Sequence, residues 1–172
     1  MYVFTIAVGT PKVTRMMLDT YLEHHKRPIH VYCSQGDKET LESFYKNSKL
    51  INYKVVSPQV EALFERGHLG TSTLYADIIL DDTIEDKLCH IDTDLIFRQE
   101  ALSLILNKFE EGYSLIGPVR LYKNNPNNRR DCEYRPHVTQ TYFFGFDKSK
   151  ITKRSRQTIQ KMAQGFPIDS QP

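Results

Sequence analysis

Leu88-Cys-His-Ile-Asp92-Thr-Asp94-Leu-Ile-Phe97 joins a short apolar run to two acids one residue apart. The run Leu88–Ile91 reads as a buried strand, and the acids fall at its carboxyl end. Unpaired carboxylates at the tip of a buried strand are costly, so packing alone gives no reason for them. Two hard oxygen donors so placed suit Mg²⁺ or Mn²⁺ and, through the ion, a diphosphate. Open α/β sheets bind ligands outside the carboxyl ends of their strands, which is where this pair sits.

Outward from that strand, the first two-thirds of the chain alternates strand and helix signals, the pattern of a mainly parallel sheet. Val3–Val8 reads as strand one. Thr10 then offers an N-cap with Pro11 at the first helical position, and Val13, Met16, Met17, Tyr21 and Leu22 recur at helical spacing. Ile29–Cys33 reads as strand two, Ser34-Gln-Gly-Asp37 as a turn, and Leu41, Phe44 and Tyr45 as the apolar face of the next helix. Leu50–Val56 reads as strand three. Ser57-Pro58 repeats the cap-then-proline signal ahead of Val60, Leu63 and Phe64, with Gly67 as the stop. A further helix is predicted from Thr71 or Ser72, carrying Leu74, Tyr75, Ile78 and Ile79. After the acidic triplet, Ala101, Leu102, Ile105, Leu106 and Phe109 mark a helix that Gly112 ends. Ser114–Val119 then reads as a strand, 122–131 as a polar loop, Val138–Phe146 as an aromatic strand, and a basic helical tail begins near Ser149. The predicted fold class is α/β: a three-layer α/β/α sandwich around a mainly parallel, mixed sheet. It is one domain, 1–172, with a nucleotide-type half over 1–97 and an acceptor-side half over 98–172 that is short enough to be the front of something longer.

The 172 residues are 40% hydrophobic and 26% charged, which suits one soluble domain with a sizeable core. No apolar stretch reaches the roughly 20 residues that span a bilayer. The N-terminus lacks a basic leader and reads as a strand, not a signal peptide. Cys33, Cys89 and Cys132 form no C-x-x-C pair, which points to a reducing, cytoplasmic setting. Net charge is +2 but uneven: residues 1–119 hold 12 Lys/Arg against 17 Asp/Glu, and residues 120–172 hold 11 against 4. That basic end is either a solvated face or an edge that meets phosphates, an acidic acceptor or an anionic membrane surface. Aromatics are not interleaved with it in a nucleic-acid motif, so DNA and RNA are not expected partners.

The order of elements together with Cys89-His-Ile-Asp-Thr-Asp-Leu-Ile-Phe97 resembles the GT-A fold of nucleotide-sugar glycosyltransferases, and Gln140-Thr-Tyr-Phe-Phe-Gly-Phe-Asp147 resembles the strand those enzymes place beneath the acceptor. The resemblance covers roughly residues 1–147. It implies a sugar moved from a nucleotide diphosphate sugar to a hydroxyl acceptor, a glycan above all. It implies a Mn²⁺ or Mg²⁺ ion held directly by Asp94, with Asp92 reaching the metal or the donor ribose. The leaving diphosphate gathers negative charge, and a held cation offsets it without proton transfer. By the same resemblance Gly9, Thr10, Gln35 and Asp37, at the tips of strands one and two, contact the nucleoside. Ser72 and Asp77 lie on a donor-side helix, and His137 is the nearest candidate for a further metal or diphosphate ligand, beside its reading as a satisfied structural histidine. Turn and cap chemistry accounts for Gly9, Thr10, Gln35 and Asp37 equally well. His90 reads as core. Arg129, Arg130 and Arg135 have the geometry to meet a diphosphate.

An inverting enzyme needs a general base, for which Asp131, Glu133 and Asp147 are all candidates; a retaining one does not. Three other readings stand beside this one. A non-catalytic nucleotide-sugar-like binding domain would keep the fold without turnover. A phosphohydrolase of the haloacid dehalogenase type also uses Asp-x-Asp, though on its first strand. A sugar-nucleotide pyrophosphorylase would need a glycine-rich, Lys-containing loop, for which Gly9-Thr-Pro-Lys12 is thin.

Overall fold

The computed structural model describes residues 1–66, 69–117 and 143–163. Tyr2–Ile6 (β1), Ile29–Cys33 (β2), Ile51–Val55 (β3) and Lys87–Ile91 (β4) run parallel. Phe143–Asp147 (β6) runs antiparallel to β4 and to Leu115–Ile116 (β5). The six described strands form one sheet in the order β3-β2-β1-β4-β6-β5. The helices are Pro11–His24 (α1), Gln35–Tyr45 (α2), Pro58–Phe64 (α3), Leu69–Leu80 (α4), Leu102–Glu110 (α5) and Lys153–Ala163 (α6), with a 3-10 turn over Lys148–Lys150.

Strand alternation divides the core between the two faces of this sheet. On one face Val3, Ile29, Val31, Cys89 and Ile91 pack with Met17, Leu18 and Tyr21 of α1, Leu41 of α2 and Leu102, Ile105 and Phe109 of α5. On the other, Tyr2, Phe4 and Leu88 meet Ile78 of α4, with Tyr32, Tyr75, Ile79 and Phe146 around them. The fold is the α/β/α sandwich with a mainly parallel, mixed sheet that the sequence predicts.

Local chemistry starts a helix as expected at Ser57, and starts another at Ser34, where the sequence reads as a turn. The Ser34 and Ser57 hydroxyls accept the backbone N–H groups of Asp37 and Val60, which satisfies donors that a helix start leaves without partners. Thr10 does not act this way. Its side chain makes no cap; the Thr14 hydroxyl instead donates to the Thr10 carbonyl at 2.8 Å. Pro11, with no N–H to satisfy, still opens α1.

Several expected faces and bounds are corrected. β1 stops at Ile6, and Val8 belongs to the turn in which Gly9 has φ +74°. α1 buries Thr14, Met17, Leu18 and Tyr21, leaving Val13 and Met16 exposed. Phe44 is exposed as well, with the Arg15 guanidinium 3.9 Å over its ring. Val60, Leu63 and Phe64 are only half-buried, because α3 packs on α4 and buries no residue fully. Phe64 lies so close to Gly70 that a Cβ there would stand 2.3 Å from its ring. α4 begins at Leu69, so Thr71 and Ser72 are first-turn residues and not caps. Of the two later strands, Leu115–Ile116 and Phe143–Asp147 are described; positions 118–119 and 138–142, like Gly67, lie outside the described residues.

Candidate functional site

The parallel registers Ile6↔Tyr32 and Phe4↔His90 bring the carboxyl ends of β1, β2 and β4 to one edge of the sheet. Three tips converge there: Ala7–Thr10 after β1, Ser34–Asp37 after β2, and Asp92–Asp94 after β4. β1 connects through α1 toward β2 and β3, while β4 flanks it on the other side. The order of strands therefore reverses between β1 and β4, the crevice in which open α/β sheets hold ligands.

Asp37 ties two of these tips together. Its Oδ2 accepts the Gly9 N–H at 2.8 Å and the Ser34 hydroxyl at 2.8 Å, and only 7% of the residue is exposed. Gly9 is needed here for its positive φ and not for space, since a Cβ would meet nothing within 4 Å. Thr10 lies beside it at the start of α1. Gln35 is exposed, and its Nε2 donates to Glu39 Oε1 at 2.7 Å along α2.

The tip of β4 carries the electrostatic strain. Asp92 shares a face with His90, whose Nε2 lies 3.7 Å from Asp92 Oδ1. Tyr75 of α4 packs against His90 with ring centroids 5.1 Å apart, and the His90 ring also meets Phe4 and Phe144. Burial, and then the negative charge of Asp94, push the Asp92 carboxyl up to about 6. Asp92 in turn is one reason, after burial, that the Tyr75 phenol is raised. Asp94 is exposed. A cation placed between these acids would relieve the repulsion that raises Asp92. Among the described residues no group of three or more His, Cys, Asp and Glu side chains is placed to hold a metal. Two carboxylates are the protein share that an ion such as Mg²⁺ can take when water and phosphate complete its shell.

The remaining expected residues among those described sit on other elements. Ser72 is exposed in the first turn of α4. Asp77 is also exposed; burial raises its carboxyl somewhat, and its charge is felt by Tyr32 of β2. Asp147 is removed from the reacting end altogether. β6 runs antiparallel, so Asp147 pairs with Lys87 at the start of β4, about 17 Å from Asp92 at the strand rise per residue. There its Oδ1 accepts the N–H and hydroxyl of Ser149 at 3.0 and 2.6 Å, capping the 3-10 turn. Asp131, Glu133, His137, Arg129, Arg130 and Arg135 lie outside the described residues. Phe143, the first described residue after them, pairs with Ile91 beside Asp92, and Ile116 of β5 pairs with Gly145, level with Cys89 in the middle of β4. His90 is core as expected, 2% exposed; its further meeting with Asp92, and with Tyr75 from the apolar face of α4, is what no motif announces. The two-residue period of β4 was the available signal, since it puts His90 and Asp92 on one face.

Solved structures share this architecture. Mouse xyloside xylosyltransferase 1 in its apo form superposes with a TM-score of 0.62 at 12% identity, over 94% of this chain and 71% of that one. The Q189E active-site mutant of LgtC gives 0.62 at 12% identity, over 96% and 65%. The fold is GT-A. A 4-diphosphocytidyl-2C-methyl-D-erythritol synthase from Anaerococcus prevotii DSM 20548 superposes at 0.52 with 16% identity, over 98% and 78%. No protein-family model matches the sequence, and no curated protein does. Among the described residues no helix is long and apolar enough to cross a membrane.

Proposed function

We propose that this chain is a divalent-metal-dependent glycosyltransferase that moves a sugar from a nucleotide diphosphate sugar to a hydroxyl, above all on a glycan. The observation that carries the reading is the Asp92–Asp94 pair at the reversal point of the strand order, with the Asp92 carboxyl raised by burial and by its neighbour. The likeness in fold to a xylosyltransferase and to LgtC supports it.

In this reading Asp94 holds Mn²⁺ or Mg²⁺ directly, and Asp92 supports the ion or meets the donor ribose. When bound, the ion offsets the charge that gathers on the departing diphosphate. The tips held by Asp37 present the Gly9 turn and α2 to the nucleoside. The negative charge of Asp92 and Asp94 keeps the edge poised for positive charge. Deprotonation of the acceptor, if the enzyme inverts, falls to Asp131 or Glu133; Asp147 is too far away. We place the protein in the cytoplasm, in line with the free, buried Cys33 and Cys89. The exposed Lys150, Lys153, Arg154 and Lys161 at the start and outer side of α6 are assigned to contact with an anionic surface.

Isothermal titration with UDP and GDP, with and without Mn²⁺, tests the donor site. Metal-dependent binding that Asp94→Asn abolishes supports the reading; binding indifferent to both points to a non-catalytic binding domain. A screen of UDP-, GDP- and TDP-sugars with Mn²⁺ then tests turnover. The likeness to the diphosphocytidyl synthase favours one second reading, a nucleotidyltransferase. The products separate them: a glycosyltransferase releases a nucleoside diphosphate, a nucleotidyltransferase releases pyrophosphate.

A further inference from the structure

The segment after the two acids is held by α1. The Phe97 N–H donates to Thr20 Oγ1 at 3.1 Å, and the Ala101 N–H donates to His25 Nε2 at 3.1 Å. The Phe97 ring, 6% exposed, meets His25 edge-on at 4.5 Å, Tyr21 at 5.9 Å and Phe143 at 6.0 Å. His25 therefore touches both anchor points, Phe97 and Ala101, and between them Arg98, Gln99 and Glu100 stand exposed.

The tautomer of His25 follows from its two contacts. Nδ1 lies 3.1 Å from the Tyr21 carbonyl, which can only accept, so Nδ1 carries the hydrogen. Nε2 is left with the lone pair that the Ala101 N–H needs. Burial lowers the ring below the ordinary imidazole range and keeps it neutral, against the opposing pull of the Tyr21 carbonyl and of Glu100, whose Oε1 is 3.9 Å from Nε2. Ala101 precedes α5 and offers no side-chain cap; Glu100 takes the Ser103 N–H, and His25 receives the Ala101 N–H from another helix.

We infer that His25 is a positioning residue: by gripping Phe97 and Ala101 it fixes the path of the chain after β4, and with it the direction in which Asp94 faces the ligand edge. This rests on the reading of Asp92 and Asp94 as a cation site. Three variants separate positioning from mere stability. His25→Gln places an acceptor near the position of Nε2, His25→Asn places one near Nδ1, and Thr20→Val removes the other anchor. The readouts are backbone amide exchange over residues 92–101 and Mn²⁺ binding followed by electron paramagnetic resonance of the free ion.

His25→Asn and Thr20→Val should speed exchange across Leu95–Ala101 and weaken Mn²⁺ binding by roughly tenfold, with His25→Gln within about threefold of wild type. Faster exchange at Ala101 alone overturns the inference. So does His25→Asn with a lowered unfolding midpoint and wild-type Mn²⁺ affinity, since a purely structural role predicts that pattern. Wild-type protein that binds no Mn²⁺ overturns the cation reading instead, while the exchange data still decide whether His25 fixes the segment.

Discussion

Replacing Asp92 by Asn isolates what it takes to keep a carboxylate at the tip of β4. In the folded protein this carboxyl titrates at about 6 against an ordinary 3.8. The folded state thus holds the proton more tightly than the unfolded chain. Below pH 3.8 both states are protonated and the group contributes no penalty. As pH rises from 3.8 to 6 the unfolded chain ionises first and stability falls; above 6 the full penalty is present. A displacement of that size corresponds to roughly 3 kcal/mol. The side chain is 44% exposed, and water screens such a group, so about 1–2 kcal/mol should survive. Urea unfolding of wild type and Asp92→Asn, measured in chelator from pH 4 to pH 7.5, gives the difference free of other titrations. The variant should gain about 1–2 kcal/mol on wild type over that range, and saturating Mn²⁺ at pH 7.5 should narrow the gap. Asp94→Asn should lower the midpoint only in part, because burial is the larger cause. A stability difference that is flat with pH would refute the account.

Asp37→Ala removes the acceptor shared by the Gly9 N–H and the Ser34 hydroxyl and should lower unfolding stability by about 2–3 kcal/mol, read by urea titration. Gly145→Ala places a Cβ 2.5 Å from Ile105 Cγ2 and 3.0 Å from Phe109 Cζ; the overpacking should destabilise by about 1–3 kcal/mol, and Ile105→Ala, which removes that methyl, should cost less in this background than alone in the same assay. Asp147→Asn should leave donor turnover unchanged and lower stability by no more than about 1 kcal/mol, since Asp147 caps a turn at the far end of the sheet.

The sheet was legible because its parallel strands are short apolar runs set between capped helices. Ser57 announces its helix by chemistry that acts within three residues, whereas Ser34 caps α2 in a stretch whose polar, Gly-containing sequence reads as a turn. Helix faces were harder: Val13, Met16 and Phe44 sit at apolar spacing, yet the side of α1 that meets the sheet depends on where β1 releases the chain at Gly9. α4 is apolar nearly all round, so nothing in its own pattern marks Leu69 as the start. The misassigned Asp147 has a different cause. Whether a strand runs with or against its neighbours is set by the connection before it, and no local residue in Phe143–Asp147 records that direction. The grip of His25 on Ala101 joins residues 76 apart and has no sequence signal.

One consequence of Asp37 concerns how the ligand edge pays entropy. A single carboxylate fastens the turn after β1 to the first turn of α2. On the proposed function, a nucleoside settling between them would find its walls already assembled, with little chain freedom left to surrender on arrival. Encounter there should be limited by diffusion and desolvation, with no slow closing step on the β1–β2 side.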